Sequence, residues 1–590
     1  MAEQPVDYSR WSNENLIERV SQLERQLKEQ TAKYNIPASP ASPVLSSPQL
    51  NAKSARVNRD FDPSKYSTRL IALKFAYLGQ RYNGFEHHSN NTTPLPTIEE
   101  ELWKALNKAR LVFPTDTSST KEGEVNWSGC EYSKCGRTDK GVSAFGQVIG
   151  IRVRSNRPLS HPPADKSANE RDLDGNVQHD EDNHRIAKSY DGLHNSPPPS
   201  TSLSAPFSDD SNPFHPVDDE IPYMQVLNRL LPPDIRVLAW CPSPPPDFSA
   251  RFSCKERRYR YVFTQPAFTP TAGAAGLTAG VTHAVGGSRP RREGWLDIDA
   301  MKESARKFVG VHDFRNFCKV DASKQIENFE RRIYHSDIEE VDPSTGPAGY
   351  VGSPGFQEFA PLAAANGHAS SGPNDGLTET PRVFHFALHG SAFLWHQVRH
   401  MVAILFLIGQ GLEPPILVDE LLNVKNTPRK PMYEMADDAP LVLWDCIFPD
   451  PTSNNKEDAL DWVYVGDTSG KGNGVIAKGN GKYGMGGVVA DLWKIWRQRK
   501  IDEVLAGTLL DVVVAQGSGS RAGREEDGEP RRSGKPPRTS QKVFDGGNAV
   551  RLVGKYTPVL QKPRMESVEI INARYAARKG LDEKEGPRDQ

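Results

Sequence analysis

The stretch Cys135-Gly136-Arg137-Thr138-Asp139-Lys140-Gly141-Val142-Ser143-Ala144-Phe145-Gly146-Gln147-Val148 decides how the chain is read, because it holds one carboxylate between two cations on a glycine-bounded loop. Gly136 and Gly141 tolerate backbone angles that a residue with a Cβ resists, so a tight turn presenting Asp139 is expected. Phe145 to Val153 is apolar and β-prone, with Val148, Ile149, Ile151 and Val153 marking a strand that leads away from the loop. On these residues alone Asp139 is either a turn residue paired with Arg137 or a carboxylate displayed for chemistry at the mouth of a sheet.

Upstream, Arg69 to Tyr77 reads as a strand, the loop 78–86 carries Gln80, Arg81, Tyr82 and Gly84-Phe85, and Thr97-Ile98-Glu99-Glu100 is a capping box. The helix it opens places Leu102, Ala105, Leu106 and Ala109 on one face. Downstream, 155–219 is rich in Pro, Ser, Asp and Asn without hydrophobic period, so it reads as an insertion looped out of the core. A helix over 223–231 and a strand over 235–240 follow, then Arg257-Arg258-Tyr259-Arg260-Tyr261-Val262-Phe263. In a strand, Tyr259, Tyr261 and Phe263 share one face and Arg258, Arg260 and Val262 the other. That alternation suits plain sheet core, and it equally suits an aromatic that stacks on an unpaired base while cations meet phosphate.

The remaining elements are a helix over 296–309, strands near 332–338 and 383–389, and an apolar helix starting near Phe393. Within the segment Phe393-Leu394-Trp395-His396-Gln397-Val398-Arg399, Arg399 sits beside the apolar stripe, where a cation is costly without a carboxylate partner. A strand over 440–448 closes the core. The expected divisions are 1–68 (a short coiled-coil helix over 13–30, then a linker), 69–265 and 295–450 as two sheet-plus-helix subdomains, 266–294 as a spacer, 343–380 as a second insertion, and 451–590 as an extension of undetermined role.

Composition sets the outer bounds. The 590 residues carry 47 Gly, 47 Pro and 37% hydrophobic residues, so a core of about half to two thirds of the length is expected. The net charge of −2 hides a local asymmetry: from Lys134 to Arg154 five cations face Asp139 alone, a basic patch fit for a polyanion. Six scattered cysteines suit a reduced intracellular protein of the nucleus or cytoplasm, and Cys130 and Cys135 have no second pair at ligand spacing, so no metal site is expected. No apolar run is long enough to span a membrane, and none is expected.

The loop Gly-Arg-Thr-Asp-Lys-Gly-Val-Ser-Ala-Phe-Gly-Gln-Val resembles the catalytic loop of the TruA family of tRNA pseudouridine synthases. The Tyr-x-Gly-Phe loop, the Ile-Glu-Glu-Glu-Leu helix, the Arg-Tyr-Arg-Tyr strand and the Phe-x-x-His-x-Val-Arg segment arrive in that family's order. The words around Ile404–Leu412 and Pro440–Phe448 look more like the eukaryotic synthases for tRNA positions 38 and 39 than the bacterial enzymes. The resemblance implies the α/β pseudouridine synthase fold, two subdomains around a central RNA-binding cleft, and a homodimer acting on the tRNA anticodon stem-loop. It implies Asp139 as nucleophile or base, Arg399 as its counter-ion, Arg137 at the site of the flipped nucleotide and Tyr259 against the base, with Lys140, Arg258, Arg260 and His396 toward substrate. An isomerisation without redox change calls for no cofactor. A related synthase with other target uridines and an inactive tRNA-binding protein are the alternatives.

Overall fold

In the computed structural model the described residues are 19, 62–88, 93–116, 124–159, 214–269, 281–282, 291–292, 294–341, 382–450, 452, 457–467, 481–516 and 541–580. The chain divides into Met1–Asp62 and Pro63–Gln590, and of the first unit only Arg19 and Asp62 are described. The coiled-coil expectation for 13–30 therefore lies outside the described residues, Arg19 apart, as do residues 160–213 of the first insertion and the whole of 343–380.

In the second unit, local signals settle the elements. Strand β1 (Ser67–Tyr77) is followed by helix α1 (Ile98–Lys108), where Thr97 accepts from the Glu100 N–H and Glu100 returns the bond, the expected capping box. Next come β2 (Ser133–Lys134), β3 (Ser143–Ser155), α2 (Tyr223–Leu230), β4 (Ile235–Cys241) and β5 (Glu256–Gln265). A small hairpin, β6 (Val281–Thr282) with β7 (Arg291–Arg292), precedes α3 (Ile298–Arg306), whose N-cap Asp297 accepts from the Ala300 N–H. Then follow β8 (Gly310–Asp313), β9 (Glu330–Glu340), β10 (Arg382–Gly390), α4 (Gln397–Gly409), α5 (Leu417–Leu422), β11 (Leu441–Ile447) and β12 (Val463–Tyr464). The extension adds α6 (Val488–Ala515), the hairpin β13 (Gln541–Val543) with β14 (Arg551–Val553), and α7 (Val568–Lys579).

The expected α/β architecture is present, with one difference from the expected pair of sheets. All the major strands join a single ten-stranded sheet in the order β12-β4-β1-β3-β11-β5-β10-β9-β8, with β2 also on β3. Neighbours are antiparallel except at the seam, where β11 runs parallel to β3 through Val442 beside Ser143 and Leu443 beside Ala144. The two halves survive as two cores. One packs α1 and α2 on β1, β3 and β4; the other packs α3, α4 and α5 on β5, β9 and β10. Strand β5 follows the first half in sequence, yet it pairs with β10 and β11, and its Tyr261 and Phe263 enter the second core.

Helix α4 is buried at all thirteen positions. After a polar first turn, Met401–Gly409 is apolar on every side, which marks an enclosed helix rather than a striped surface one. The extension is part of this core: Val543, Phe544 and Val559 are buried in it, and Gln410 on α4's C-terminal side exchanges hydrogen bonds with the Phe544 backbone. Arg236 ties α6 to the first half through Asp491 at 2.8 Å.

Candidate active site

The loop 136–141 opens directly into β3, at the point where the parallel seam begins. Tyr77 on β1 bonds Thr138 Oγ1 at 2.7 Å, Gln147 on β3 donates to the Gly136 carbonyl, and the Val142 N–H returns to the Asp139 carbonyl at 3.1 Å. From the other side the Phe85 N–H donates to the Thr138 carbonyl and the Gly141 N–H to that of Tyr82. The sequence-marked Tyr-x-Gly-Phe loop is thus the second wall of the Asp139 loop.

Of the two flanking glycines, only Gly141 carries the expected constraint. Its φ is +81°, and a Cβ there would stand 2.5 Å from Asp438 Oδ1. Gly136 has no positive φ, and its Cβ would make an ordinary 3.6 Å contact with Leu443.

Asp139 lies against the entrance of α4. His396 Nε2 is 3.5 Å and Arg399 Nη1 4.0 Å from its Oδ2. Helix α4 begins at Gln397, four residues later than expected, because the Gln397 N–H closes a turn on the Leu394 carbonyl at 3.0 Å, in which His396 adopts the left-handed conformation at φ +60°. A non-glycine residue held there is strained, and the turn aims its ring at the carboxylate. Arg399 is 8% exposed and is held by the Ala436 carbonyl at 2.8 Å and by Asp438 Oδ2 at 3.7 Å. One guanidinium therefore bridges two carboxylates, which is what makes its burial tolerable.

The electrostatics depart from a simple counter-ion picture. Burial pushes the Asp139 carboxyl above its ordinary value; the Arg399 charge, a hydrogen bond from the Trp395 side chain and Lys319 oppose it, while Asp438 adds to it. Arg399 does favour the ionised form, as expected, but desolvation outweighs it. Burial, then Arg399, Lys319 and Lys430, bring His396 down to about 4, so it is a neutral imidazole at neutral pH. Behind it, Lys430 donates to the Cys318 carbonyl and meets His400 Nε2 at 2.7 Å. Burial lowers Lys430 to about 7 and His400 to about 2.

Tyr259 sits on the central strand β5 between β11 and β10, packs against both cores, and meets Phe393 edge-on at 5.0 Å. Burial drives its hydroxyl far above the ordinary tyrosine range. The other predicted residues scatter. Arg137 turns to Glu86 at 3.2 Å rather than to Asp139, and Lys140 is exposed. Arg258 pairs with Glu256, and Arg260 lies 3.7 Å over the Trp444 ring. The last two occupy the strand face opposite Tyr259, as alternation requires.

The sequence reading missed Asp438, Trp395 and Lys319. Trp395 is 41% exposed and Lys319 Nζ lies 4.4 Å over its ring, which forms an aromatic and cationic rim at the carboxylate. Trp395 stands next to His396 in the quoted motif, so it was readable; Lys319 and Asp438 carry no local signal. Arg251 stands near Arg137 and lies over Phe252, whose ring is 63% exposed, a second basic and aromatic patch. Among the described residues the cluster of metal-ligand type is Cys135, Cys254 and Cys446.

A pseudouridine synthase fold with a half-buried aspartate beside a buried arginine at its central seam defines the class: the chain belongs to the tRNA pseudouridine synthase family, whose sequence pattern matches residues 304–449. It is 37% identical over 444 residues to the tRNA pseudouridine(38/39) synthase of Saccharomyces cerevisiae, covering 75% of this chain and 72% of that protein. The enzymes of the same name from Bos taurus (32% over 573 residues, 96% and 88%) and Homo sapiens (35% over 462 residues, 78% and 69%) are similar over comparable spans.

Proposed function

We propose that this chain isomerises uridine to pseudouridine at positions 38 and 39 of the tRNA anticodon stem-loop, with Asp139 as the acting carboxylate. The observation that carries the reading is the placement of Asp139: on a loop pinned by both walls, at the seam of the sheet, against Arg399 and His396. The relatives that act at positions 38 and 39 by name support the substrate positions. In the reaction the N1–C1′ bond breaks, uracil turns, C5 bonds to C1′, and C5 loses the proton that N1 gains. No electrons are exchanged.

The breaking centre becomes oxocarbenium-like, so an adjacent carboxylate assists either by attack at C1′ or by removing the 2′ proton. In both roles a carboxylate made more basic by burial is the stronger agent, and Arg399 keeps enough of it ionised. Neutral His396 orients it without adding charge. Tyr259, neutral at any working pH, lies against the base, and Phe393 holds its ring edge-on. Arg137 with Arg251, and Lys319 with Trp395, offer cations to phosphate and a ring face to an unpaired base.

We assign the active form as a homodimer in the nucleus or cytoplasm. The family resemblance supports the first, and six cysteines without a disulfide the second. The test uses anticodon stem-loop RNA with uridine at 38 or 39, tritiated at C5. Asp139→Asn should abolish tritium release while RNA binding persists. Release equal to wild type would overturn the assignment of Asp139, and wild-type release confined to uridines elsewhere would overturn the position assignment.

A further inference from the structure

Three thiols that the mechanism does not use meet beneath the start of the catalytic loop. Cys135 directly precedes Gly136, Cys254 lies just before β5, and Cys446 is on β11; their sulfurs all lie within 4.8 Å of one another and all three residues are buried. They come from the three segments that form the seam: the Asp139 loop, the Tyr259 strand, and the strand that joins the two halves. Nothing in their sequence spacing announces this, because metal motifs are recognised by neighbouring pairs.

We propose that Cys135, Cys254 and Cys446 form a binding site for one thiophilic divalent d10 cation, of the Zn2+ or Cd2+ class, which pins the catalytic loop to the seam. The geometry is close to what such an ion needs. Sulfurs around a tetrahedral centre with M–S bonds of about 2.3 Å stand about 3.8 Å apart, so closure requires side-chain shifts of less than about 1 Å. Three protein ligands is the count of an open zinc site.

Charge supports a divalent ion. Arg257 lies within electrostatic reach of all three thiols, and its guanidinium is fixed by the carbonyls of Ser391 at 2.7 Å, Arg251 at 2.9 Å and Cys135 at 3.2 Å. Three thiolates, one divalent cation and Arg257 sum to zero, the balance a buried unit requires. Each remaining S–H releases its proton to solvent as its S–M bond forms. Because the site is enclosed, loading accompanies folding rather than following it.

The test refolds the full chain with Co2+ as a spectroscopic probe and then with Zn2+. The expected result is one equivalent of Co2+ with a sulfur-to-cobalt charge-transfer band, displaced by one equivalent of Zn2+. The band should be lost in Cys254→Ser and Cys446→Ser and kept in Cys130→Ser and Cys241→Ser. Should the serine variants fail to fold, X-ray absorption on the Zn2+-loaded wild-type chain decides. A first shell of three sulfurs supports the site; a shell of nitrogen and oxygen alone, or folded wild-type protein that takes up no stoichiometric ion, overturns it and leaves the three thiols as packing.

Discussion

Replacing Arg399 with methionine should expose how the site balances its charges. The wild-type guanidinium lies 4.0 Å from Asp139 and 3.7 Å from Asp438, carboxylates 24% and 33% exposed. Unit charges at about 4 Å attract by about 4 kcal/mol at an effective dielectric of 20, and solvent on the open side of both carboxylates reduces this by about half. Arg399→Met should thus cost about 2 kcal/mol of folding stability at neutral pH, since it leaves two facing anions uncompensated. The sign with pH follows from linkage. Both carboxyls are already raised in the folded state, chiefly by burial, so each favours folding when protonated and loses that contribution as pH rises through its folded value. Without Arg399 both rise further, so the variant's stability deficit should shrink toward acid and widen toward neutral pH. The acid limb of kcat/KM should move to higher pH, because the role proposed for Asp139 needs its ionised form. Denaturant titrations at about pH 5 and about pH 8 measure the first effect and tritium release across pH the second. An equal deficit at both pH values, together with an unmoved acid limb, would refute the reasoning.

Tyr259→Phe should keep RNA affinity and lower turnover, while Tyr259→Leu should also lose the stacking worth about 1–3 kcal/mol; gel-shift titration beside tritium release separates the two. Gly141→Ala should destabilise by about 1–3 kcal/mol, because φ +81° and the 2.5 Å approach to Asp438 both resist a Cβ. Gly136→Ala should be close to neutral, and thermal melts of the pair check the contrast. Lys430 is lowered from 10.5 to about 7, so between these values the unfolded chain binds the extra proton and wild-type stability should rise with pH. Lys430→Met should lack that rise, which denaturant curves at about pH 7 and about pH 9 would show.

The sequence by itself determined the elements and the chemistry-bearing words. Helix α1 was fixed by its capping box, β5 by its alternation, and the Asp139 loop by a pattern dense enough to identify a family. Such signals act through backbone preference and contacts a few residues long, so they are present in the chain before it folds. Tertiary structure alone decided that the two halves share one sheet, because the parallel pairing joins Ser143 to Val442, about 300 residues apart. It sent Arg137 to Glu86 and gave Arg399 a second carboxylate in Asp438. It also raised Asp139 where a neighbouring cation alone predicts lowering, since desolvation depends on everything packed around a group. The three cysteines that meet under the loop had no neighbour in sequence to announce them; only the seam brings them together.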